Sequence, residues 1–189
     1  MAKRRPPDAE RARIAVRKGT GTRYRSTIVR ADGVEITLEG GSWNRIGGAI
    51  GRVPHDLAHL VVEQELAIRR GLWGILAAGG LVKNAAFTGG RRPPHSAAVA
   101  RRITSEANEE ILRTEVLVRA CADASAGGRL DAASVREQVG ERWWDDHVTD
   151  EALIRIDARL LEHAQRWDEL APGADFEAEW VGPPATARR

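Results

Sequence analysis

The chain of 189 residues contains a single cysteine, Cys121, a single tyrosine, Tyr24, and two phenylalanines. One cysteine excludes an internal disulfide framework and any cysteine-built zinc module, and it fits a reducing compartment. Long hydrophobic runs are missing as well. The most apolar stretch, residues 71–82, is too short and too rich in glycine to supply the roughly 20 apolar residues of a membrane span. The opening Met1-Ala2-Lys3-Arg4-Arg5 has the charge of an export signal, but Pro6, Pro7, Asp8 and Glu10 stand where its apolar core is needed. These absences point to a cytoplasmic protein with no membrane partner.

The charged and apolar fractions are those of an ordinary globular chain, and the length suits one core. The formal net charge of +2 hides an uneven distribution. Residues 1–30 hold ten Lys and Arg against Asp8 and Glu10, and the remainder is net acidic. That asymmetry permits a nucleic acid or an acidic protein as partner, through the basic N-terminal region.

Periodicity predicts an α+β fold. After a basic flexible arm over residues 1–10, residues 13–17 and 23–38 alternate apolar and polar side chains, and Ala31-Asp32-Gly33-Val34 has the composition of a hairpin turn. A glycine-rich connector, residues 40–51, leads to Pro54, which suits the first position of a helix running to about Arg70. Ser96 is the expected N-cap of a long helix that keeps Ile103, Ala107, Ile111, Val118 and Ala122 on one face up to Gly127. A short helix over residues 132–144 follows. Thr149 then caps a last helix whose Leu153, Ile156, Leu160, Ala164 and Trp167 repeat at three and four. Asp175-Phe176-Glu177-Ala178-Glu179-Trp180-Val181 alternates as a final strand, and its natural partner is the N-terminal hairpin. The expected architecture is one domain over residues 11–182. A small antiparallel sheet from both termini packs against four or five helices, with a flexible tail over 183–189.

One segment carries chemistry: Val53-Pro54-His55-Asp56-Leu57-Ala58-His59-Leu60-Val61-Val62-Glu63. Residues four apart share a helix face, so His55 and His59 can offer imidazole nitrogens to one divalent ion, for which zinc is the first candidate. His55, Asp56, His59, Glu63 and Glu65 form a polar stripe opposite Leu57, Leu60 and Val61. Eight residues of helix rise about 12 Å, so Glu63 reaches an ion beside His55 only by leaning back along the helix, and otherwise serves as a supporting carboxylate.

This segment resembles the His-Glu-x-x-His helix of zinc metallopeptidases, with Asp56 in the place of the glutamate base. The resemblance implies His55 and His59 as zinc ligands and Asp56 as the catalytic base of a metal-dependent hydrolase. A third ligand from a downstream helix is then expected among Glu106, Glu109 and Glu110, although Glu109 also has Arg113 as a helical ion-pair partner. The pattern Pro-His-Asp-x-x-His-x-x-x-Glu is also similar to that of a group of uncharacterised bacterial proteins. His55-Asp56 further resembles the adjacent pair of the HD phosphohydrolases, but that family requires an earlier histidine ligand and His55 is the first histidine here.

The competing function is non-enzymatic: a binding or scaffold protein that meets nucleic acid or an acidic protein through arginines of the N-terminal strands. The glycine-rich connector lacks the lysine of a phosphate-binding loop. Cys121 lies in an apolar helical context and reads as packing rather than as a nucleophile. Trp143, Trp144, Trp167 and Trp180 are expected to pack helices on the sheet.

Overall fold

The computed structural model describes residues 11–40, 53–144 and 147–183. The N-terminal arm, most of the glycine-rich connector and the tail beyond residue 183 lie outside them. Five strands form one antiparallel sheet. Strand β1 (Arg11–Lys18), β2 (Tyr24–Arg30) and β3 (Glu35–Gly40) are consecutive hairpins, β4 (Ala85–Gly89) adds to β3, and β5 (Asp175–Val181) returns beside β1. The order is β4-β3-β2-β1-β5.

Alternation sets which face is buried. Ala12, Ile14 and Val16 of β1, Tyr24, Ser26 and Ile28 of β2, Ile36 and Leu38 of β3, and Phe176 and Trp180 of β5 point inward. The register places Ile14 opposite Ile28 and Ile28 opposite Ile36, so branched side chains line up across the floor of the core. The second hairpin turns at Gly33, whose φ of +79° disfavours other residues, and the Asp32 carboxylate accepts from the Val34 amide.

Six helices among the described residues cover that face: α1 (His55–Glu65), α2 (Leu72–Ala78), α3 (Ser96–Glu106), α4 (Asn108–Ala126), α5 (Ala132–Val139) and α6 (Asp150–Glu169). Helix α6 matches its expected stripe, with Leu153, Ile156, Leu160 and Trp167 buried and the Thr149 hydroxyl accepting from the Ala152 amide. Trp180 and Trp167 are buried as expected, whereas Trp143 and Trp144 are half-buried beneath the guanidinium groups of Arg142 and Arg136.

Three local expectations need correction. The first helix stops at Glu65 rather than Arg70, because Ala67 takes a left-handed φ of 52° and the Ile68 amide closes back on the Glu63 carbonyl. The single long helix is two, broken at Ala107 amid the weak helix formers Thr104, Ser105 and Asn108, and Thr104 spends its hydroxyl on the backbone of Leu81. The N-cap position of α3 belongs to His95, not Ser96. Strand β4 lay hidden in a Gly/Ala-rich stretch with one large apolar residue, Phe87, and owes its existence to pairing with β3. No helix among the described residues is long and apolar enough to cross a membrane.

Candidate metal centre

Helix α1 lies between the sheet and helices α4 and α6. Its apolar side buries Leu57, Leu60 and Val61, and the opposite stripe is buried too: Asp56, His59 and Glu63 are each at most 4% exposed. Polar groups at that depth persist only with partners, and here each has them.

Asp56 is held from the sheet. Ser26 donates its hydroxyl to Oδ2 at 2.6 Å and Tyr24 donates to Oδ1 at 3.2 Å. The two donors are alternate residues of β2, so strand periodicity aims both at the same carboxylate. Oδ1 also faces Nδ1 of His55 at 3.3 Å. Glu63 is held from the other side. The backbone amides of Trp73 and Gly74, in the first turn of α2, donate to Oε2 at 3.1 and 3.3 Å, while Oε1 accepts from Nδ1 of His59 at 2.9 Å. The N-cap of α2 is Gly71, which has no side chain to cap it, so Glu63 supplies the missing acceptor.

Each Nδ1 faces its own carboxylate, Asp56 for His55 and Glu63 for His59, which turns each Nε2 toward a common point. These two Nε2 atoms lie 3.2 Å apart. A third donor meets them from α4: Oε2 of Glu115 is 3.0 Å from Nε2 of His55 and 3.4 Å from Nε2 of His59. A tetrahedral ion with bonds of about 2.0–2.2 Å separates its ligand atoms by about 3.3–3.6 Å. The His55, His59 and Glu115 donors, 3.0–3.4 Å apart, thus lie within a few tenths of an ångström of the spacing of three corners of such a site.

Electrostatics agree with a site built for positive charge. Burial works against protonation of His59, yet hydrogen bonds to Glu115 and Glu63 outweigh it and raise its pKa to about 10. His55 is raised too, with burial again opposing and the carboxylates of Asp56 and Glu115 prevailing. Partial burial would lift the Glu115 carboxyl, but its hydrogen bonds to the two imidazoles hold it well below the usual range. A divalent ion answers the same demand as those protons. The centre opens on one side: the His55 and Glu115 side chains are 23% and 43% exposed, against 1% for His59.

The sequence-derived residues are thus brought together with their roles redistributed. His55 and His59 face a common point as expected. Asp56 touches the outer nitrogen of His55, and both its oxygens are engaged, so it is not placed to act as a base beside the convergence point. Glu63 is likewise behind His59, on the ring edge away from Nε2. Glu110 pairs with Arg70, and the Glu109 side chain lies 4.0 Å from Arg142, so neither turns to the imidazoles. Glu115 was missed. Its signal was present, since it stands four residues after Ile111 and three before Val118, on the stripe otherwise occupied by apolar residues.

The arginines of the first two strands have a different fate from the cationic face expected of them. Arg11 pairs with Glu179, Arg17 with Asp175, Arg25 with Glu39 and Arg30 with Asp32. These four charges are each met by a carboxylate on a neighbouring strand or turn, whereas Arg13 of β1 is exposed with no carboxylate against it among the described residues. Comparison with family models, with curated proteins and with solved structures returned no match.

Proposed function

We propose that this chain is a metal-dependent, hydrolase-like protein in which His55, His59 and Glu115 hold a divalent ion, zinc by preference. The observation that carries the proposal is the convergence of two imidazole Nε2 atoms and a carboxylate oxygen at 3.0–3.4 Å, each imidazole backed by its own carboxylate. Buried imidazole with carboxylate is a zinc-type donor set, and a carboxylate behind each histidine is the usual means of orienting such ligands. Three protein ligands with an exposed side leave a coordination position for water or substrate, the arrangement of catalytic rather than structural zinc. An ion held there would supply Lewis-acid chemistry to an oxygen of the substrate. Asp56 and Glu63 serve the ligands by fixing their tautomer and orientation. The similarity to the metallopeptidase helix extends to the histidine pair and not to the base.

The test is elemental analysis of protein purified without chelators, beside a His55→Ala/His59→Ala variant. Stoichiometric zinc in the parent and none in the variant is expected, together with chelator-sensitive cleavage of activated ester or phosphoester probes. A parent that stays free of metal after dialysis against zinc overturns the metal reading. A loaded protein with no chelator-sensitive cleavage overturns the hydrolase reading alone.

A further inference from the structure

Between Glu65 and Glu106 the chain has no acidic residue, while Arg69, Arg70, Lys83, Arg91, Arg92, Arg101 and Arg102 are all cationic. Arg69 is bonded to the Pro183 carbonyl and Arg70 to Glu110. The other five are exposed, and none of them meets a carboxylate among the described residues. On the N-terminal strands, by contrast, Arg11, Arg17, Arg25 and Arg30 are each matched by a carboxylate. Five cationic side chains with no carboxylate against them are therefore gathered around β4 and α3.

These two elements frame an open groove of about 880 Å³. Leu81, Phe87, Ala97 and Ala100 give it an apolar floor, and Arg92 and Arg101 stand in its lining. The Arg92 guanidinium lies over the Phe87 ring, 5.2 Å from its centroid. Ser105 and Asn108 complete the wall with hydroxyl and amide groups that have no partner among the described residues.

We infer that the groove between β4 and α3 binds single-stranded nucleic acid, with phosphates on Arg92 and Arg101 and a base stacked on the Phe87 platform. Unmatched guanidinium groups are the footprint of a polyanion, because releasing counterions from phosphates drives binding where no local carboxylate competes. The aromatic floor favours nucleic acid over an acidic peptide: every base has a flat face to lay on Phe87 and on the guanidinium plane, and a run of Asp or Glu side chains has none. The groove shares no lining residue with the His55, His59 and Glu115 cluster, so the inference does not depend on metal.

The probe is a fluorescein-labelled oligothymidylate roughly 20 nucleotides long, titrated with the full chain at several salt concentrations. Saturable binding that weakens steeply with salt is expected. Arg92→Ala/Arg101→Ala should weaken it at least tenfold and reduce the log–log salt slope by about 1.4, the share of two phosphates on a single strand. Phe87→Leu should weaken it about tenfold with the slope unchanged, since it removes stacking and no charge. Arg17→Gln/Arg25→Gln, which removes equal charge from the matched strands, should leave affinity within twofold. Circular dichroism of each variant separates a lost surface from a lost fold. No saturable binding by the parent, equal losses in the Arg17/Arg25 control, or equally tight binding of a poly-glutamate peptide with no effect of Phe87→Leu would each overturn the inference, the last in favour of an acidic protein partner.

Discussion

The backbone of Gly71 lies so close against the carboxylate of Glu63 that a Cβ on residue 71 would overlap the carboxyl carbon. The glycine is required here by proximity rather than by a positive φ. Gly71→Ala is therefore expected to push Glu63 off Nδ1 of His59 and off the amides of α2. Zinc affinity should fall by about 10–100-fold, the usual cost of losing a carboxylate behind a histidine ligand. Overpacking should destabilise the fold by about 1–3 kcal/mol. Competition against a chromophoric chelator and thermal melts measure the two effects, and unchanged affinity in a folded variant would detach Glu63 from the metal centre.

Glu115→Gln tests the third ligand directly. It keeps the shape of the side chain and removes the charge that faces both imidazoles. Zinc content is expected to collapse in this variant and to stay at the parental level in Glu109→Gln and Glu110→Gln. Loss of metal in either of the latter, with Glu115→Gln unaffected, would move the third ligand about one and a half turns toward the start of α4.

The pH dependence follows from the raised His59 and the depressed Glu115. His59 titrates near 6.5 when unfolded and near 10 when folded, so the stability it confers as a cation is complete below about pH 6.5 and drains away as pH rises toward 10. Glu115 works in the other direction, contributing above its ordinary value of 4.5 and losing that contribution as pH falls. Metal-free protein should thus melt highest between these two limits. Zinc displaces the protons, so the rise in Tm on adding it should be larger at pH 8 than at pH 6. A zinc increment independent of pH would mean that the ion binds elsewhere.

Ala67 closes helix α1 in the left-handed region, where a Cβ is disfavoured by about 1 kcal/mol. Ala67→Gly removes that cost at an exposed position. A stability gain of about 1 kcal/mol by denaturant unfolding is expected, with the metal content untouched.

Cys121 is fully buried, and burial pushes its thiol up to about 12. Ellman's reagent should react with it only at the rate of unfolding. Fast labelling of the native protein would contradict the packing of α4 against the core.

Periodicity alone determined much of the architecture. Alternation in residues 13–17 and 175–181 marks strands because a two-residue repeat buries one face of a sheet whatever its partners are, and the stripe of α6 is as plain for the same reason at 3.6 residues per turn. The His55/His59 pair was legible because four residues of helix fix its geometry locally. What the sequence could not assign was every relationship between elements. Strand β4 forms because β3 offers it an edge, and Asp56 becomes a buried support because Tyr24 and Ser26 come up beneath it from β2. Glu63 is turned to the back of His59 by the amides of α2. Glu115, 52 residues beyond Glu63, reaches the histidines only because α4 packs along α1. Ligand type and spacing within one helix are properties of the chain. Which nitrogen faces the centre, and which carboxylate meets it, was decided by packing alone.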